Sequence, residues 1–509
     1  MNNILKLDGS SLDLDDFINV VRYDVKVEIA TEAIQSIQEG RKKIEKLLED
    51  KKVAYGINTG FGSLCDTYIP LDQLANLQLN LIKSHASGAG EPFPKEVIRG
   101  MLLLRANSLI NEVSGARLET IQQLLELLNH QIIPIVPEHG SLGASGDLIP
   151  LAHMSLVLIG LGRANVNDQT LEGRIALEKA GLEPICLQAK EGLALINGTA
   201  ASTALAGLAV YDAINLATVA NITCALTLEA LGGNTTPFSD DIHKYRPHSG
   251  QRKSAEIIRR LTDDSDLLGS SGHVQDAYSL RCTPQVHGAT QDAIEFAKRV
   301  LSIEMNSVTD NPLIKEYEDG TIEALSGGNF HGQPIALAAD LLCIAVSELG
   351  SISERRIERL LNPQLSGLPP FLTEQSGLHS GFMIAQYLAA SLVSENKIQS
   401  HPATVDSIPV SANQEDHVSM SAHAGRKLRR IVKNVEEILA VELLAGAQAI
   451  DLRGAAAYRL GKGTRIIYQL IRDNVPRLDE DRELAQDIAK ISNLIHSGSL
   501  VEKIRKTIS

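Results

Sequence analysis

Three residues of one loop, Ala144, Ser145 and Gly146, could make a reactive group out of the chain itself. They lie within Gly140-Ser141-Leu142-Gly143-Ala144-Ser145-Gly146-Asp147-Leu148. Glycines at 140, 143 and 146 let the backbone take φ > 0 and pack against itself, which residues with a Cβ resist. Pro134 and Pro137 stiffen the approach, and Pro150 falls just inside the helix pattern that follows, where its missing N–H matters little. In such a held turn the nitrogen of Gly146, a glycine and so of the residue type whose nitrogen is least shielded, can be pressed onto the Ala144 carbonyl carbon. A five-membered ring then closes with loss of water. Loss of a second water from Ser145 turns its side chain into an exocyclic methylene conjugated to the ring carbonyl, an electrophile needing no external cofactor. A plain glycine turn capping a helix is the other reading of the same residues.

Other polar residues stand out beside this loop. Tyr55-Gly56-Ile57-Asn58-Thr59-Gly60-Phe61-Gly62 is too rich in glycine for a helix, and reads as an ordered loop presenting Tyr55 or as a surface turn. His85 falls where a leucine-spaced helix ends, with Gly88 as its expected cap. Asn197 interrupts an apolar run, and Tyr278 and Arg281 share a face if their segment is helical, with Gln275 three residues before Tyr278. Phe330 reads as core. Glu415 is either an acid at the start of a helix over 417–450 or a carboxylate awaiting a partner.

The stretches GSLGASGDLIPLAHM, YGINTGFG, EGLALINGT, QDAYSLRCTPQ, SGGNFHGQP and SANQEDHVSM, in that family's motifs and covering about 50–450, resemble the aromatic amino acid ammonia-lyases. The resemblance implies that Ala144-Ser145-Gly146 forms their methylidene-imidazolone (MIO) group and that the reaction is loss of ammonia from an amino acid. It implies Tyr55 as the base, with a phenolate stabilised well below the free value of about 10 by positive helix ends, and Tyr278 as a second catalytic tyrosine. Asn197 would bond the ring oxygen or the substrate amine, Arg281 the substrate carboxylate, with Gln275 in the polar shell and Phe330 beside the ring. Phenylalanine and tyrosine lyases carry Gln where this chain has Glu415 and other pairs where it has Ser84-His85, so Glu415 and His85 imply an imidazole substrate, L-histidine, giving trans-urocanate. A phenylalanine or tyrosine lyase, or an MIO-dependent aminomutase, is the alternative. The resemblance further implies a homotetramer whose active sites draw on more than one subunit.

Positioning these residues falls to helices. Amphipathic spacing predicts helices over 27–50 (Ile34, Ile37, Ile44, Leu47, Leu48), 71–85 and 117–130, then long Ala/Leu/Ile helices over 196–231, 284–306, 334–361, 380–398 and 417–450. Strand signals are short, near 132–136 and 313–323. The expected fold is mainly α: a long central helical bundle (196–450), a smaller N-terminal domain (1–195) carrying the loop, and a C-terminal helical layer (451–509). Of the 509 residues 44% are hydrophobic but only 4% aromatic, so the core rests on Leu, Ile and Ala. A net charge of −14 argues against nucleic acid or an anionic membrane as partner. Gly192 to Tyr211 carries no charge and is long enough to span a bilayer, yet its Ala, Gly and Thr content and Asn197 fit a buried bundle helix better. Five scattered cysteines without C-x-x-C spacing, and a start lacking a basic leader, predict a cytoplasmic protein with no metal site. A serine hydrolase elbow would need glycine at Asp147, and neither a P-loop nor H-E-x-x-H occurs.

Overall fold

The computed structural model describes residues 4–454 and 457–508. Helices dominate, as the apolar periodicity predicts, and strands are confined to four small sheets among the described residues. Compactness divides the chain into two units, one of 1–208, 298–340 and 403–426, the other of 209–297, 341–402 and 427–509; of the stretches expected from sequence, 1–195 falls in the first, 451–509 in the second, and 196–450 is shared between them. Each cut after residue 200, except that near 402, falls inside a long helix.

The first unit holds the loop. Its helix Thr31–Glu49 starts later than the predicted 27 because Lys26–Ile29 pairs in parallel with Ile4–Leu7. Ile44 and Leu47 of that helix pack with Ile57, Leu74, Ile314 and Ile322, which seats the hairpin Leu313–Glu316/Ile322–Leu325. The helix Lys95–Leu109 is buried along almost its whole length, including the side chains of Arg99 and Arg105. Leu74–His85 ends at Ala86 rather than at Gly88, whose amide donates instead to His153 Nε2 at 2.9 Å. The predicted helix 196–231 is two, Glu191–Ile196 and Ala200–Ala230, separated by Asn197-Gly198-Thr199, of which Asn197 is extended.

The second unit is helical among its described residues, apart from short turns. Its core contains a fully buried ion pair, Arg356 Nε to Glu442 Oε1 at 2.6 Å and Nη2 to Oε2 at 2.8 Å. Thr227 and Ser353 hydroxyls donate to the same carboxylate at 2.7 and 2.6 Å. The amphipathic helices Lys462–Asn474, Leu484–His496 and Ser499–Ile508 form its C-terminal portion. Ala200–Ala230 and Gln333–Leu361 are long and apolar enough to cross a membrane by length and composition alone, and 72% and 56% of their most apolar windows are buried in the protein. A helix apolar on all sides is what a buried core position requires.

Candidate active site

Three chain segments grip the loop. Met420 N donates to Leu142 O at 2.7 Å, Ser419 Oγ to Gly143 O at 3.0 Å, and Gly332 N to Gly143 O at 3.3 Å. Gly143 has φ +69°, and a Cβ there would lie 2.2 Å from Ser419 Oγ, so only glycine fits this approach. Gly146, at φ +73°, pairs with Gly198, and a Cβ on it would meet Gly198 O at 2.3 Å. Asp147 N donates to Gly198 O at 2.7 Å, and Asn197 Nδ2 donates to Ser145 O at 2.8 Å. Ala144-Ser145-Gly146 is therefore held at the Ser145 carbonyl and just beyond Gly146, while no described residue accepts from the Gly146 amide.

Asp147 locks the far side. Its carboxyl is fully buried at the start of Ala200–Ala230 and accepts from Ser141 Oγ (2.8 Å), Ser202 N (2.7 Å) and Ser202 Oγ (2.7 Å). Burial pushes its pKa up, and these donors oppose the rise. Negative charge at a helix N-terminus is favoured by the exposed amides there. Sequence reasoning passed over Asp147 and Ser202; a Ser at the third position of a helix and an Asp directly after the loop were the available signals.

Cavities of about 580, 560 and 240 Å³ adjoin the loop, and Ser145 and Glu415 line all three. Tyr55 and Asn197 line the two larger ones, His85 the first and third, and Phe330 the second. Six sequence-predicted site residues besides Ala144 and Gly146 thus line these cavities, Ser145, Tyr55, His85, Asn197, Phe330 and Glu415, with Ser84 beside His85.

Glu415 is not a helix-start acid, because the helix predicted from 417 begins at Ser421, after Met420 turns left-handed at φ 56°. It sits in a tight turn closed by Val410 N to Glu415 O at 3.0 Å. Ser411, Ala412 and Asn413 all have φ between 52° and 69°, a run of left-handed residues that L side chains disfavour. Strain of this kind persists where surrounding contacts enforce it, and here it carries Glu415 to the cavity wall.

His85 Nδ1 lies 2.9 Å from Leu81 O, so Nδ1 carries the proton and Nε2 is left as an acceptor. Burial lowers its pKa, partly offset by the Leu81 carbonyl and by Glu415, which favours the neutral ring. Tyr55 departs from expectation. Its hydroxyl accepts from Gly62 N at 3.3 Å and its ring meets Phe61 edge-on at 6.5 Å, but burial pushes the phenol pKa up, and Glu415 adds to the rise over the opposing Gly62 amide. The stabilised phenolate predicted from sequence is thus corrected: withdrawal of water and a neighbouring carboxylate both disfavour the anion.

Gln275, Tyr278 and Arg281 belong to the second unit and line none of the three cavities. Tyr278–Arg281 is one helical turn; Arg281 stacks 4.5 Å over the Tyr278 ring and its Nε donates to Asp276 O at 3.0 Å. Gln275 precedes that turn and, with Arg281, lines a separate cavity of about 360 Å³. Tyr278 is 70% exposed.

The geometry suits ring closure at 144–146: glycine where a Cβ would clash, a donor on the Ser145 carbonyl, and an uncommitted Gly146 amide. Residues 12–473 match the aromatic amino acid lyase family. A histidine ammonia-lyase of Alkaliphilus oremlandii is 52% identical over 506 residues, 99% of each chain. The crystal structure of histidine ammonia-lyase from Trypanosoma cruzi superposes with a TM-score of 0.92 at 44% identity, covering 100% of this chain and 96% of that one. A tyrosine aminomutase from Streptomyces globisporus superposes with a TM-score of 0.94 at 38% identity over 99% of both chains.

Proposed function

This chain belongs to the aromatic amino acid lyase family, and on that premise we propose that it eliminates ammonia from L-histidine to give trans-urocanate. The observation that carries the reading is the meeting of Glu415 and His85 with Ser145 in one cavity. A carboxylate and a neutral imidazole acceptor can bond the two ring nitrogens of histidine, whereas a phenyl ring offers neither a partner. The names of the relatives support the same substrate.

Once formed from Ala144-Ser145-Gly146, the MIO group supplies an electrophile for an amine, and no external cofactor is needed. Asn197 Nδ2 is already on the Ser145 carbonyl oxygen, where a donor stabilises gathering negative charge. Glu415 and His85 orient the side chain of the substrate, and Phe330 closes the wall near the loop. A tyrosine takes the β-proton. Because burial and Glu415 disfavour the Tyr55 phenolate within this chain, its use as a base calls for a cation brought to it, and Arg281 with Tyr278 and Gln275 from another copy is our candidate. This requires an oligomer, a homotetramer in our reading; exposed apolar side chains such as Leu337, Leu378, Ile384 and Tyr387 supply surface for it. We place the enzyme in the cytoplasm, acting on a small molecule, with neither nucleic acid nor membrane as partner.

Purified protein offered L-histidine, L-tyrosine or L-phenylalanine, with ultraviolet absorbance of the unsaturated acid and released ammonia followed together, tests this. Urocanate from histidine alone is expected, and Ser145→Ala should abolish it while leaving the fold. Turnover of tyrosine to a β-amino acid would favour the second reading, an aminomutase, which the likeness to the Streptomyces globisporus enzyme supports.

A further inference from the structure

We propose that Arg105 is a positioning residue for ring closure at Ala144-Ser145-Gly146, acting through the backbone of Asn197 and Gly198; the proposal rests on the reading of that triplet given above. Arg105 lies on the helix Lys95–Leu109 with no exposed surface. Its Nη1 donates to Asn197 O at 2.9 Å, and a Cβ on Gly198 would come within 2.0 Å of the same nitrogen, so the guanidinium packs directly on the Asn197-Gly198 strand. That strand is what holds the triplet. Asn197 Nδ2 takes Ser145 O, Gly198 pairs with Gly146, and Gly198 O takes the amide of Asp147.

The charge of Arg105 is otherwise unspent. Among the described residues it forms no ion pair, and its Nε and Nη2 have no acceptor. Asp310 is the anion that acts on it, yet the Asp310 carboxylate is occupied by Lys190 Nζ at 2.6 Å, Ser114 Oγ at 2.6 Å and Asn311 N at 2.7 Å. Burial lowers the Arg105 pKa, with Asp310 only partly offsetting it. A buried cation this poorly partnered is a poor stabiliser of a fold, since an apolar chain of similar length would pack there without the desolvation cost. Its one described bond goes to the strand that grips the loop.

The closure it serves is balanced without an oxidant. The Gly146 nitrogen bonds to the Ala144 carbonyl carbon, and that oxygen leaves as water with the hydrogens of the Gly146 and Ser145 nitrogens. The Ser145 hydroxyl leaves as the second water with the Ser145 α-hydrogen. Both losses depend on how firmly Gly146 is held toward Ala144, and a strand free to slide along the loop relaxes that approach.

The test compares wild type with Arg105→Met, Arg105→Gln and Arg105→Lys. The mass of the peptide carrying residues 144–146 is read at a fixed short time after synthesis, and the circular dichroism and thermal midpoint of each protein are recorded. Wild type should show loss of two waters. Met and Gln should fold with midpoints close to wild type while the ring-bearing fraction falls about tenfold, the weight of one charge-assisted hydrogen bond. Lys, which keeps a charged donor, should recover to within about threefold of wild type. Full loss of two waters in a folded Met or Gln variant would overturn the proposal, and so would failure of both to fold, which would make Arg105 structural. A wild-type peptide that keeps both waters would instead overturn the reading of the triplet, and this proposal with it.

Discussion

Of the three arginines buried among the described residues, Arg99, Arg105 and Arg356, the last two are buried for different reasons. Arg356, in the second unit, faces Glu442 through two bonds of 2.6 and 2.8 Å, and the carboxylate is further held by Thr227 and Ser353. Burial works against its charge, but the Coulomb attraction of Glu442 carries its pKa above the ordinary value. Arg105, in the first unit, has one described hydrogen bond, to the backbone beside the loop, and burial takes its pKa down. The same residue type in equally dry surroundings is compensated where it serves only packing and left uncompensated where it touches the site. For these two arginines the difference lies in the partner and not in the burial.

The comparison breaks most readily at the compensated pair. Glu442→Leu leaves Arg356 as an unpaired buried cation, and stability should fall by about 3–5 kcal/mol in denaturant titration, whereas Arg356→Met with Glu442→Leu should recover most of it. A double variant no more stable than the single one would show that the pair is not the compensated unit described.

At the site the effect should appear in turnover instead. Asn197→Ala removes the donor on Ser145 O, and kcat should drop about 10²–10³-fold with an unchanged unfolding midpoint. A fall in stability equal to the fall in rate would place Asn197 with Arg356 as a structural group. Glu415→Gln keeps the shape but removes the negative charge, and should lower kcat/KM for histidine about tenfold or more while leaving the two-water loss at 144–146 intact.

The smallest effect is a pH dependence in the second unit. His287 is fully buried, its Nδ1 2.9 Å from Asn221 Oδ1, and burial with the nearby Arg356 charge holds its pKa well below the ordinary value. The unfolded chain binds a proton near pH 6.5 that the native chain refuses, so stability rises with pH through that region and is lost as pH falls below about 6.5. His287→Asn should flatten that part of the stability curve, read by melting between pH 5 and 8; an unchanged slope would assign the dependence to other groups.

Much of this was legible in the sequence. The glycines at 143 and 146 announced a held loop, because only a residue without a Cβ tolerates the Ser419 and Ser421 hydroxyls at the one and the Gly198 backbone at the other, 2–3 Å from a would-be Cβ, and the motifs pointed to Tyr55, His85, Asn197, Phe330 and Glu415. Long apolar runs gave the long helices to within a few residues, since a periodicity of 3.6 is a local property. The errors lay where distant segments compete for the backbone: 27–29 became a strand because Ile4–Leu7 was there to pair with it, and 197–199 left the helix because Gly198 pairs with Gly146.

What the sequence determined by itself is the chemistry available: a triplet able to cyclise, an asparagine, one carboxylate and one imidazole fit for a histidine ring, and the helical character of the frame. What only the tertiary structure decided is the state of those groups. That the Tyr55 phenolate is disfavoured by burial and Glu415, that His85 presents Nε2 as an acceptor, and that Arg105 spends its charge on the strand behind the loop all depend on which atoms are near and how much water remains, and neither quantity is a property of neighbours along the chain.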